Sequence, residues 1–182
     1  SLSYVSGLRT FAAAVLWMRL EPMLHGFYDS VPLEQQRYVL STVAAVQTLD
    51  PSLQQPFYIG AWILARNGRT DAALEMAERG VRENPAAGLL LTNLAEIQMD
   101  YADDVPGAVK TAARAVLDPN VVWLDFYEQH NAYPILGAIF RAGGRDDLDA
   151  LVQDELLKMD AELGDQLHAD AHDHDGDGTP AH

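Results

Sequence analysis

Three prolines stand at a fixed interval in this chain. Pro51, Pro85 and Pro119 are separated by 34 residues each, and each closes a similar tripeptide: Leu49-Asp50-Pro51, Glu83-Asn84-Pro85 and Leu117-Asp118-Pro119. A proline ends a helix because it has no amide hydrogen and its ring collides with the preceding turn, so the residues beyond it open the next helix. A fixed period of this length predicts a stack of similar helical units, each too small to bury its apolar face alone.

The composition agrees. Apolar residues make up 48% of the 182 residues, enough for a substantial core. Ala and Leu are abundant and continuous β-branched runs are nearly absent, which predicts an all-α chain. There is no cysteine, so disulfides and thiolate metal sites are excluded. The formal net charge of −15 argues against nucleic acid as a partner, since no run of phosphates could be neutralised here. Residues 143–182 carry twelve acidic and two basic residues and so hold most of that excess.

Inside the period, the segment Gln54 to Ala87 carries a recurring pattern. Phe57 is a large aromatic, Ala61, Ala73 and Gly80 are small, Leu64 is apolar, and Pro85 closes the unit. Arg66-Asn67-Gly68-Arg69-Thr70 reads as a turn, with Gly68 ending one helix and Thr70 capping the next. The segment Gly88 to Val121 repeats Leu91, Leu94, Ala95 and Pro119, and a one-residue shift around Asp103 to Gly107 brings Ala108 and Ala115 inward. A third unit begins near Tyr133, with Leu136, Gly137 and Phe140. It turns at Gly143-Gly144-Arg145 and continues as a helix from about Asp146 to Leu163. Upstream, helices fit about Leu8 to Phe27 and Leu33 to Thr48. Between Pro119 and Tyr133, residues Asn120 to Ala132 read as an aromatic insertion.

On these residues the chain resembles the tetratricopeptide repeat family over about residues 8–163. The resemblance implies a right-handed α-solenoid of antiparallel helix pairs, about three to four repeats, in which the first helix of each pair lines a concave groove for a peptide or protein segment. Carried over position by position, groove residues here are Gln55, Tyr58, Trp62 and Arg66, then Thr92, Asn93, Glu96 and Met99, then Asn131 and Arg141. Trp62 and Arg66 lie one turn apart, and an aromatic beside a guanidinium suits peptide recognition. Of the family's clamp for C-terminal carboxylates only Asn93 has a counterpart, and the lysines are missing. Trp123 and Phe126, with Tyr127, form a second docking candidate in the insertion; the competing reading folds them over the end of the groove as core.

The repeat domain is expected over residues 1–163 and an acidic tail over 164–182. The tail gathers His168, His172, His174 and His182 with Asp173, Asp175 and Asp177, a set able to hold a divalent ion such as zinc, nickel, copper or calcium. Asp173, Asp175, Asp177 and Gly178 follow the opening of a calcium loop, but the glutamate of its twelfth position has no counterpart. The plainer reading is a solvated acidic segment.

No phosphate-binding glycine loop, His-Glu-x-x-His pair or Gly-x-Ser-x-Gly elbow is present, so no enzyme is expected. The expectation is a non-catalytic scaffold or subunit in a multi-subunit assembly. The alternative is a metal-binding or metal-delivery protein acting through its tail. The longest apolar run, Phe11 to Met18, is too short to span a bilayer. The first helix is nonetheless broadly apolar, able to meet a partner or a membrane-anchored segment. With a start at Ser1 rather than Met, it leans the localisation towards a bacterial extracytoplasmic or membrane-associated place.

Overall fold

The computed structural model describes the backbone of residues 2–24 and 33–174, with side chains over 6–20 and 38–163. Among the described residues it is all helical, with eight helices and no strand. They are α1 (Leu2–Leu24), α2 (Leu33–Leu49), α3 (Gln55–Arg66), α4 (Thr70–Glu83), α5 (Gly88–Asp100), α6 (Val105–Leu117), α7 (Phe126–Ala142) and α8 (Asp146–His174). Each helix packs on the next where both are described, and α5 also touches α3 on one side and α7 on the other.

Two of the turns share one geometry. In the α3–α4 turn Gly68 has φ +72°, and in the α7–α8 turn Gly144 has φ +67°. The two turns share one hydrogen bond, Arg69 N–H to the Leu64 carbonyl (2.9 Å) and Arg145 N–H to the Phe140 carbonyl (2.8 Å). A left-handed residue is what allows the chain to reverse and recover those carbonyls, and glycine adopts it without a Cβ clash. The α5–α6 turn is one residue longer, and Asp103 takes the left-handed place with φ +53°. That extra residue is the expected register shift. It puts Ala108, Ala112 and Ala115 in the core, while Arg114 stays exposed.

One continuous core runs from α3 to α8, through Phe57, Ala61, Leu90, Leu91, Ile97, Leu136, Phe140 and Val152. Small residues set the helix separations. A Cβ on Gly80 would lie 2.9 Å from Phe57 Cβ, so α3 and α4 cross closely there. A smaller cluster of Leu20, Val39 and Val43 is met by Ile59 and Ile63, which joins α1 and α2 to α3. The proline-bearing turns are tied to the following unit: Asn84 Nδ2 donates to the Pro51 carbonyl (2.9 Å) and Arg114 Nη2 to the Pro85 carbonyl (2.6 Å).

Four boundaries differ from the sequence reading. α1 begins at Leu2 rather than Leu8; its expected end at Phe27 lies outside the described residues. α4 begins at Thr70 itself, and no side chain caps it. α8 continues past Leu163 to His174, because that stretch has no proline and a lone glycine weakens a helix by only about 1 kcal/mol. The insertion shrinks: Phe126 to Ala132 are the opening turns of α7, and only residues 118–125 form a loop. Asp125 Oδ1 accepts from Glu128 N–H and Glu128 Oε2 accepts from Leu124 N–H, both at 2.8 Å. The first bond satisfies a donor that a helix start otherwise leaves orphaned, and the second ties the loop before the cap to the helix. Pro134 sits exposed within the helix, where it forgoes one backbone hydrogen bond.

Candidate functional site

The helices α3, α5 and α7 each direct a stripe of side chains at helical spacing towards one cleft of about 370 Å³. Gln55 and Tyr58 come from α3, and Leu89, Thr92, Asn93 and Glu96 from α5. Glu128, Asn131, Ala132 and Ile135 come from α7, joined by Leu124, Asp125 and Tyr127 at its start. The cleft thus brings together six of the expected groove residues: Gln55, Tyr58, Thr92, Asn93, Glu96 and Asn131.

Trp62 and Arg66 extend the α3 stripe. The Arg66 guanidinium lies 5.0 Å from the Trp62 ring centroid, a cation–π distance. Trp62 Nε1 donates to Glu96 Oε2 at 3.4 Å, a long bond that joins two residues 34 apart. The sequence period therefore reappears as a contact between equivalent places on α3 and α5. Burial is the main influence on the Glu96 carboxyl and pushes its pKa above the usual 4.5; the Trp62 bond opposes this and Asp100 adds to it. Thr92 is buried and its hydroxyl already donates to the Gly88 carbonyl (2.9 Å), so it contributes shape more than a free polar group.

Asn93 is different. It is 1% exposed, and neither its Nδ2 nor its Oδ1 has a hydrogen-bond partner. Leaving such a buried group unsatisfied costs about 1–3 kcal/mol, so native chains rarely keep one without use. No other described side chain has buried, unpartnered polar atoms of this kind.

The remaining expected residues sit elsewhere. Trp123 is half-buried on the 118–125 loop, packed over the start of α5, where a Cβ on Gly88 would come within 2.6 Å of its indole. Its ring meets Tyr133 edge-on at 5.9 Å. Two backbone bonds, Gly88 N–H to Val122 O (3.0 Å) and Val122 N–H to Ala86 O (2.7 Å), hold that loop in place. Phe126 stacks on His130 with centroids 5.8 Å apart, and His130 reaches Asp160 of α8 at 2.8 Å. Of this aromatic group only Tyr127, 62% exposed, faces the cleft. Arg141 lies outside the cleft lining and donates to Asp149 Oδ1 at 2.6 Å, tying α7 to α8. Met99 is half-buried and packs against the core.

Sequence reasoning missed Leu124, Asp125 and Glu128. The signal was present: Asp125-Phe126-Tyr127-Glu128 has the spacing of a capping box, and Glu128 precedes Asn131 by three residues on the same helix face.

α8 carries positions 168, 172, 173 and 174, but the side chains of His168, His172, Asp173 and His174 lie outside the described residues, as do Asp175, Asp177 and His182 altogether. Among the described residues no group of three His, Asp or Glu side chains could hold a metal ion, and no helix is long and apolar enough to cross a membrane. No protein-family model matches this chain, and no curated protein is significantly similar to it in sequence.

Proposed function

We propose that this chain is a tetratricopeptide-like right-handed α-solenoid that works as a non-catalytic interaction scaffold, holding an extended peptide or protein segment in the α3–α5–α7 cleft. The observation that carries this reading is the shared cleft itself, to which three alternate helices contribute polar and aromatic side chains around an unsatisfied buried amide. The contacts α3–α5 and α5–α7 are those expected when the first helices of successive antiparallel pairs lie side by side. Further support comes from α1, where Leu8, Phe11 and Met18 are each exposed by 66–68%. Apolar side chains at this spacing suit a second contact with the same assembly, including a membrane-anchored subunit.

Affinity purification from the native host tests this, using the wild type and a Tyr127→Ala/Asn131→Ala double variant, each with and without chelator. Both positions are exposed, so the fold is retained. A stoichiometric partner that survives chelation and is lost from the double variant is the expected result. A partner held equally by the variant removes the cleft from the function.

A second reading is favoured by the length of α8, which places positions 168 and 172 four residues apart on one helix. In it the tail binds a divalent ion and the repeats serve as its support. Calorimetry with zinc, nickel, copper and calcium decides it: no heat at tens of micromolar ion removes the metal role.

A further inference from the structure

We infer that the segment held in the cleft is basic: one of its lysine or arginine side chains pairs with Glu96, and one of its peptide units pairs with the Asn93 amide. This rests on the cleft being a peptide groove, and it names the chemistry of the occupant.

The charges have a single sign. Glu96, Asp125 and Glu128 line the cleft, and among the described residues no lysine or arginine does; Arg66, further along the α3 stripe, lies over Trp62 instead. Asp125 and Glu128 already accept backbone N–H bonds in the cap of α7, whereas among the described residues Glu96 accepts only the long bond from Trp62. An ionised carboxylate has about four acceptor places, so most of the capacity of Glu96 is open. Its carboxylate is also the one that burial disfavours, and the attraction of an arriving cation would offset that penalty. A C-terminal carboxylate or a phosphate would meet repulsion here.

Asn93 distinguishes a peptide from a simple amine. Its side chain offers an N–H donor and a carbonyl acceptor in one plane, the complement of a peptide unit, and both atoms are unpartnered. A free amine satisfies only the acceptor. Asn93 lines the cleft but its polar atoms are buried, so contact requires a rotamer step in a neighbouring cleft side chain. Tyr58, Leu124 and Tyr127 supply apolar walls for the aliphatic stem of a lysine or arginine. A second copy of this chain fits poorly, since its own charge is −15.

The test uses fluorescein-labelled peptides, acetyl-Ser-Ala-Leu-X-Ala-Leu-Ser-amide, with X as lysine, arginine, norleucine or glutamate. Binding to the full chain is read by anisotropy at about 0.15 M salt, where surface attraction is screened beyond roughly 8 Å. The lysine and arginine peptides should bind at least ~10-fold more tightly than the norleucine peptide, equivalent to about 1.4 kcal/mol. Glu96→Gln should erase that preference and leave the norleucine peptide unchanged. Asn93→Leu should weaken all the peptides, and Asn93→Ala should do the same, with folding of each checked by circular dichroism. Asp154→Asn, at an exposed position of α8, should leave binding unchanged. If all four peptides bind equally and Asn93→Leu abolishes it, the basic assignment is overturned while the peptide groove stands. A lysine preference that survives Glu96→Gln overturns the basic assignment in the same way. If spermidine displaces the lysine peptide at equal affinity, the occupant is a small amine and the peptide assignment is overturned. If no peptide binds, or binding ignores Asn93→Leu and Tyr127→Ala alike, both this inference and the groove reading are overturned.

Discussion

Asn93→Leu should make the protein more stable and less functional. In the wild type the Asn93 amide is 1% exposed and both of its polar atoms lack a partner. Replacing a buried, unsatisfied polar group by an apolar one of similar branching recovers its desolvation penalty, about 1–3 kcal/mol. Leucine fills nearly the same space, and any overpacking would subtract up to roughly 1 kcal/mol if neighbours must move. The net gain is about 0–3 kcal/mol, which for a domain of this size raises Tm by up to roughly 12 °C. Urea unfolding followed by helical circular dichroism measures it directly, with the thermal scan as a second readout. A loss of more than about 1 kcal/mol would refute the reasoning, because it would show that the amide is already satisfied by its surroundings. A gain in stability together with lost peptide binding is the signature of a residue kept for its ligand rather than its fold.

Three other outcomes follow from the geometry. Glu96 holds its proton more tightly folded than unfolded, so the native state loses stability as pH rises from the ordinary value of 4.5 through the raised one. Glu96→Gln should therefore stabilise the protein more at pH 7 than at pH 4, and a difference that is flat or reversed between parallel urea titrations would contradict this. Gly68→Ala and Gly144→Ala meet nothing within 4 Å, so each should cost only the left-handed backbone penalty of about 1–2 kcal/mol; Asp103→Gly should be neutral to stabilising, all readable by thermal scan. Gly88→Ala should push the Trp123 indole off α5, destabilising by about 1–3 kcal/mol and shifting tryptophan emission to the red; unchanged emission would argue that the ring is not held there.

Much of the helical frame was legible in the residues alone, because helix boundaries are set locally. The prolines at 51, 85 and 119, the glycines at 68 and 144, and the apolar spacing all act within a few residues of themselves. The Asp103 shift could be read for the same reason: one extra residue in a turn displaces every later alanine by a fixed angle. The α7 start lies well ahead of Tyr133, because the Asp125 and Glu128 carboxylates satisfy two backbone donors there and Pro134 is carried inside the helix at the loss of one bond.

What a chain of this kind determines by sequence is periodicity, and with it the helices and the alternation that sends Phe57, Leu91 and Leu136 inward. Only the tertiary structure decided which polar groups on the other faces meet. Trp62 reaches Glu96 across 34 residues, Arg141 is drawn to Asp149 instead of the cleft, and Trp123 folds under a glycine gap on α5. It alone leaves the Asn93 amide without a partner. These are pairings between separate helices, and burial, desolvation and hydrogen-bond satisfaction depend on distances that no local spacing encodes.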